Sequence, residues 1–163
     1  MTVLRLFLDI CLFRRGPQDI PVSKFLFRLI VIVYLVVGFI FLQFGTTVLK
    51  ALTETFVETL IALGFVWGLL AFTRKTPRFR QTATSLLGSD AIISTLAMPF
   101  MTAINYNIGG SGPYLIMLIL LIWHISIIGH ILRHALSSNL TFGLGIALIY
   151  VFLSYQIVAY LFN

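Results

Sequence analysis

A chain of 163 residues with 60% apolar and only 10% charged side chains leaves room for one membrane domain and excludes a soluble head of useful size. Its net charge of +6 is scattered over helix ends and not gathered on one basic, aromatic-interleaved face, which excludes a nucleic-acid surface. A single cysteine, Cys11, excludes an internal disulfide and any CxxC metal or redox motif.

The first predicted element is a short helix over residues 2–13, about three turns and too short to cross a bilayer. Arg5 and Asp9, four residues apart, give it a polar edge, so it is expected to lie along the headgroups. Arg14-Arg15-Gly16-Pro17 ends it. Without a small-residue cleavage site it does not read as a signal peptide, and neither terminus carries a lipidation signal. Five apolar stretches follow, over residues 24–44, 48–73, 79–105, 113–134 and 140–162. Each meets the requirement of about 20 residues for a membrane-spanning helix. Residues 91–132 and 134–163 hold no Asp, Glu, Lys or Arg, as lipid demands. The predicted fold is therefore all-α: a polytopic integral membrane protein of five transmembrane helices preceded by a short interfacial amphipathic helix.

The third span differs from the rest. Gln81, Thr82, Thr84, Ser85, Gly88, Ser89, Asp90, Ser94 and Thr95 make it polar and small-sided, suited to close packing inside a bundle and poorly suited to lipid. Gly88 and Ser89 are candidate helix-packing positions. Pro99 is expected to kink it. Gly64 and Gly68, spaced as GxxxG on the second span, are a further candidate crossing point.

Charge sets the orientation. Arg5, Arg14, Arg15, Lys24, Arg28, Arg74, Lys75, Arg78, Arg80 and Arg133 fall on the side of the N-terminus, and only Lys50 falls opposite. The positive-inside rule then places the N-terminus in the cytoplasm and the C-terminus outside. Arg14, Arg15, Arg74, Lys75, Arg78, Arg80 and Arg133 are read as interfacial cations facing anionic headgroups. The Asn139-Leu140-Thr141 sequon would be cytoplasmic and is read as chance.

Four ionisable groups lie inside spans: Glu54, Glu58, Asp90 and His124. At 1.5 Å per residue, His124 stands about 13 Å above Arg133 and Asp90 about 15 Å above Arg80. In a core about 30 Å thick both belong near the midplane, where a shared proton lowers the penalty on each. Glu58 lies about 24 Å above Arg74, and Glu54 one turn higher. Lys50, four residues before Glu54, can partner it; Glu58 has no obvious cation and is expected to be protonated. These groups read either as satisfied packing contacts or as a polar track for a proton or cation. No internal repeat of the kind seen in transporters is present.

His130 and His134 form an HxxxH pair without a third ligand, so no metal is expected. Tyr34, Trp67, Trp123, Tyr150 and Tyr155 read as packing or lipid-facing groups. No nucleophile–base arrangement, HExxH, DxxD or GxGxxG is present, so neither an enzyme nor a cofactor is expected.

The amphipathic N-terminal segment, the prolines ahead of span one and five spans with an external C-terminus resemble the Yip-type membrane proteins (Rab-GTPase-interacting proteins and their bacterial relatives). Gln81 to Gly88, entering a polar third span, is similar to that family's middle region, as are Trp123-His124, Gly129-His130 and Ala135-Leu136. The compact form resembles the bacterial members. The resemblance implies an inner-membrane location and a role in scaffolding or membrane organisation, with no catalytic residues to carry over. The expected function is non-enzymatic: association through helix faces, with itself or as an accessory subunit of a larger membrane complex. The alternative is a small proton or cation channel or carrier using Glu58, Asp90 and His124.

Overall fold

The computed structural model describes residues 3–43 and 45–162. Thr2 and Phe44, at the edges of predicted segments, lie outside them. The described residues form six α-helices: α1 (Val3–Cys11), α2 (Lys24–Gln43), α3 (Val48–Phe72), α4 (Phe79–Asn105), α5 (Gly112–Leu136) and α6 (Leu140–Phe162), with 3-10 turns at Pro17–Asp19 and Thr76–Arg78. α2 to α6 are each long and apolar enough to cross a membrane. The protein is an all-α, multi-pass integral membrane protein.

α4 is the hub. Every residue from Thr82 to Ser89 is buried, so this stretch is enclosed on all sides and not along one stripe. Its small side chains let neighbouring backbones approach, and Thr82 and Ser85 satisfy their hydroxyls by donating to the Arg78 and Gln81 carbonyls, at 2.9 and 2.8 Å. α4 remains one helix through Pro99 to Asn105. The outer helices bury narrower stripes. α3 buries Ala51, Thr55, Thr59, Ala62, Val66 and Leu70, every third or fourth residue, while α6 buries only Gly143, Ala147 and Tyr150. Leucines, isoleucines and phenylalanines elsewhere on these helices point outward, an arrangement that suits lipid and not water.

α5 and α6 cross at two glycines. A Cβ on Gly143 would lie 2.4 Å from the Gly129 carbonyl oxygen, and one on Gly129 would lie 3.1 Å from Leu144 Cα. Gly64 and Gly68 contrast with this: each is exposed, with no heavy atom within 4 Å of an added Cβ.

α1 does more than rest on the headgroups. Leu4, Leu8 and Leu12 face outward, while Phe7, Ile10 and Cys11 are buried against the bundle. The Phe7 ring occupies the space a side chain at Gly88 would take, 2.3 Å from its would-be Cβ. Three side chains then grip backbone carbonyls of the N-terminal segment. The Trp123 indole N–H donates to Cys11 O at 3.0 Å, His130 Nε2 bonds Arg15 O at 2.8 Å, and the Gln81 amide donates to Ile20 O at 2.8 Å. Asp9 pairs with Arg15 at 3.7 Å.

Helices α1, α3, α4 and α5 close with the same cap, built without glycine. Phe13, Arg74, Asn107 and Ser137 each take a left-handed backbone, φ between 52° and 60°. The next N–H reaches back five residues to a helix carbonyl in every case, from Arg14 to Asp9, Lys75 to Leu70, Ile108 to Ala103 and Ser138 to Arg133. A non-glycine residue there costs about 1 kcal/mol, offset by the carbonyls satisfied. Lys75 and Arg78 also turn inward: Lys75 Nζ donates to Leu136 O, and Arg78 Nη1 donates to Ala135 O at 2.8 Å. They complement the negative end of α5. Together with α1, the α3–α4 and α5–α6 loops form the basic end of the bundle.

Candidate functional site: a polar cavity among the spans

A cavity of about 620 Å³ lies among α2 to α6. It runs from Leu42, Lys50 and Phe162, at the end opposite α1, down to Asp90 and His124 at mid-depth. Every spanning helix contributes a polar side chain: Tyr34 from α2, Lys50, Glu54 and Glu58 from α3, Asp90 and Ser94 from α4, His124 from α5, and Tyr150, Ser154 and Tyr155 from α6. A lipid-facing helix cannot carry such groups without loss. Turned inward onto a shared cavity, they solvate one another.

The centre of the site is a carboxyl–imidazole pair. His124 Nε2 lies 3.0 Å from Asp90 Oδ1, joining α5 to α4. The rise per residue predicts equal depth for the two side chains, and the structure adds equal azimuth. The Asp90 side chain is 15% exposed and that of His124 22%, so the pair borders the cavity and is not sealed from it.

Glu58 and Glu54 stand one and two steps farther out on α3, with Glu58 within electrostatic range of both Asp90 and Glu54. Glu54 Oε2 is buried without a hydrogen-bond partner among the described residues. The sequence offers Lys50 to Glu54, yet the ion pairs among the described residues are Asp9–Arg15 and Asp90–His124 alone. Three carboxyl groups therefore face one cavity with Lys50 and His124 as the lining basic groups. Such a set can take up a cation, or pass a proton from carboxyl to carboxyl to imidazole.

Tyr34 and Tyr150 are the residues that sequence reasoning assigns to packing and the structure assigns to this cavity. Both are buried, and their hydroxyls lie within electrostatic range of Asp90 and Glu58. The signal for Tyr34 is present in the chain: it shares the i, i+4, i+8 stripe of Leu26 and Ile30, the buried face of α2.

The other candidate positions lie away from this site. Gly88 and Ser89 are buried under α1, and Gly64 and Gly68 open outward. Arg14, Arg74 and Arg80 are exposed at the basic end. His130 and His134 meet edge to face at 4.7 Å between ring centroids, and His130 is occupied with Arg15 O. Among the described residues no three His, Cys, Asp or Glu side chains converge as a metal site.

Comparison with protein-family models, with curated proteins and with solved structures returned no match, so the functional reading stands on this geometry.

Proposed function

We propose that this chain is a non-enzymatic membrane protein that moves or binds a proton or small cation through the cavity bounded by Glu54, Glu58, Asp90 and His124. The Asp90–His124 pair at 3.0 Å, with further carboxyls lining the same space, carries the reading. Ionisable groups are retained inside a membrane at a cost of about 2.5 kcal/mol or more each, and clustering on one path is the usual return for it. The charge bias supports a cytoplasmic N-terminus with the open end of the cavity on the far side, and the Yip-type resemblance supports a bacterial inner membrane. α1 is seated on Gly88, on the basic-end side of the pair.

Flux into proteoliposomes tests this. Wild-type protein is expected to dissipate an imposed pH or cation gradient, and Glu58→Gln and Asp90→Asn to cut the rate at least about tenfold, since each removes a charge site along the path. Wild-type rates in an Asp90→Asn/His124→Ala double variant would reduce the cavity to a packing feature.

A second reading, lateral association with itself or with a larger complex, is favoured by Gly64 and Gly68. They open outward beside the exposed Trp67, with none of the described residues packed against them. The scaffolding role implied by the Yip-type resemblance agrees with it. Because there is room for larger side chains, Gly64→Leu/Gly68→Leu is expected to leave the bundle folded and to convert a detergent-extracted assembly to monomer. A wild-type monomer in native mass spectrometry would refute it.

A further inference from the structure

A second cavity, of about 590 Å³, opens at the basic end between the Pro17–Asp19 turn, the start of α4 and the α5–α6 hairpin. Its lining includes Arg78, Arg133, His134, Ser137, Ser138 and Asn139, and no carboxylate lines it. The nearby acid, Asp19, accepts the Gly16 N–H at 2.9 Å and lies within electrostatic range of His134 on the cavity wall. Neither arginine has a carboxylate within 4 Å among the described residues.

The arginines are held differently. Arg78 bonds through Nη1 to Ala135 O and Ser137 Oγ, both at 2.8 Å, and to His134 O at 3.2 Å. This pins the guanidinium at the rim while most of its five donors remain. Arg133 sits one turn above the end of α5, its Nε buried and without a partner among the described residues; Ser138 Oγ is in the same condition. An unneutralised guanidinium in a cavity that no carboxylate lines calls for an anion. The start of α6 completes the wall. Asn139 Oδ1 accepts the Phe142 N–H at 2.8 Å, setting the positive end of a 23-residue helix against the cavity.

We infer that this cavity binds a phosphate-bearing anion, clasped between Arg133 and Arg78 at the N-terminus of α6. Arginine matches phosphate through paired N–H donors, and the volume exceeds a bare phosphate, leaving space for an attached polar group. The site lies at headgroup level, so the phosphate can belong to an anionic lipid or to a soluble ion; the recognition chemistry is shared. This inference is independent of the polar cavity, which lies toward the opposite end.

Protein in an uncharged detergent, stripped of lipid, is the material for the test. One arm titrates inorganic phosphate against chloride at matched ionic strength and follows thermal unfolding. The other adds phosphatidylglycerol or phosphatidylcholine and counts retained lipid by native mass spectrometry. Saturable stabilisation by phosphate, or selective retention of phosphatidylglycerol, is expected; the first result alone assigns a soluble ligand and the second a lipid. Arg133→Gln should weaken the effect at least about tenfold, while Arg74→Gln, an equal charge change at the same end but outside the cavity, should not. Should Arg133→Gln fail to fold, Ser137→Asp places a carboxylate on the exposed rim and must have the same effect. The inference falls if neither probe binds saturably, or if Arg133→Gln and Arg74→Gln behave alike.

Discussion

His124→Ala is expected to destabilise the bundle by about 3 kcal/mol and Asp90→Asn by only about 1 kcal/mol, although the two side chains form one pair. The asymmetry follows from what each variant leaves behind. With Asp90 replaced by asparagine, His124 can rest as a neutral imidazole and still hydrogen-bond the amide across the 3.0 Å contact. With His124 truncated, Asp90 loses its partner at mid-depth and faces a void where the ring stood. The Asp90→Asn/His124→Ala double variant should therefore cost less than the sum of the singles, because the two groups share one contact. Thermal unfolding of all four proteins in one mild detergent measures this. Additive losses would show that the two groups are not energetically coupled, whatever their distance.

Gly143→Ala should be the most damaging single-methyl change on α6, costing about 3 kcal/mol, whereas Gly145→Ala two residues on should be neutral or stabilise by up to about 1 kcal/mol. At position 143 the added carbon meets a carbonyl oxygen at 2.4 Å and the Arg133 backbone nitrogen at 3.1 Å, so whole helices must part. At position 145 it meets nothing within 4 Å, and alanine's higher helix propensity is the only change. Because the displaced contacts belong to Arg133, Gly143→Ala should also weaken phosphate binding at the basic end. Equal melting temperatures for the two alanine variants would contradict the tight α5–α6 crossing.

Much of the fold is legible in the chain because lipid leaves few solutions. Uncharged runs long enough to cross, cations at alternate turns and a polar third span dictate five helices with α4 at the centre. The Asp90–His124 contact is half legible: rise per residue matches their depth, but facing one another depends on how α4 and α5 rotate. Tyr34 and Tyr150 show the same limit. A tyrosine in an apolar span reads equally as core, lipid anchor or cavity wall until its neighbours are known.

Glycines and cations divide along the same line. Gly64 and Gly68 carry the recognisable spacing, yet Gly129 and Gly143 make the close crossing, because approach depends on the partner helix and not on a motif within one helix. Lys75 and Arg78 look like headgroup anchors until the end of α5 is placed beside them. Trp123, His130 and Gln81 likewise show their hold on the N-terminal segment only once that segment has docked. The amino-acid sequence alone determined the medium, the number of crossings and the depth of each ionisable group, since these depend on hydrophobicity and distance along a helix axis. Tertiary structure alone decided which faces meet, and so which polar groups share a cavity, because rotation about that axis is set by packing between segments far apart in the chain.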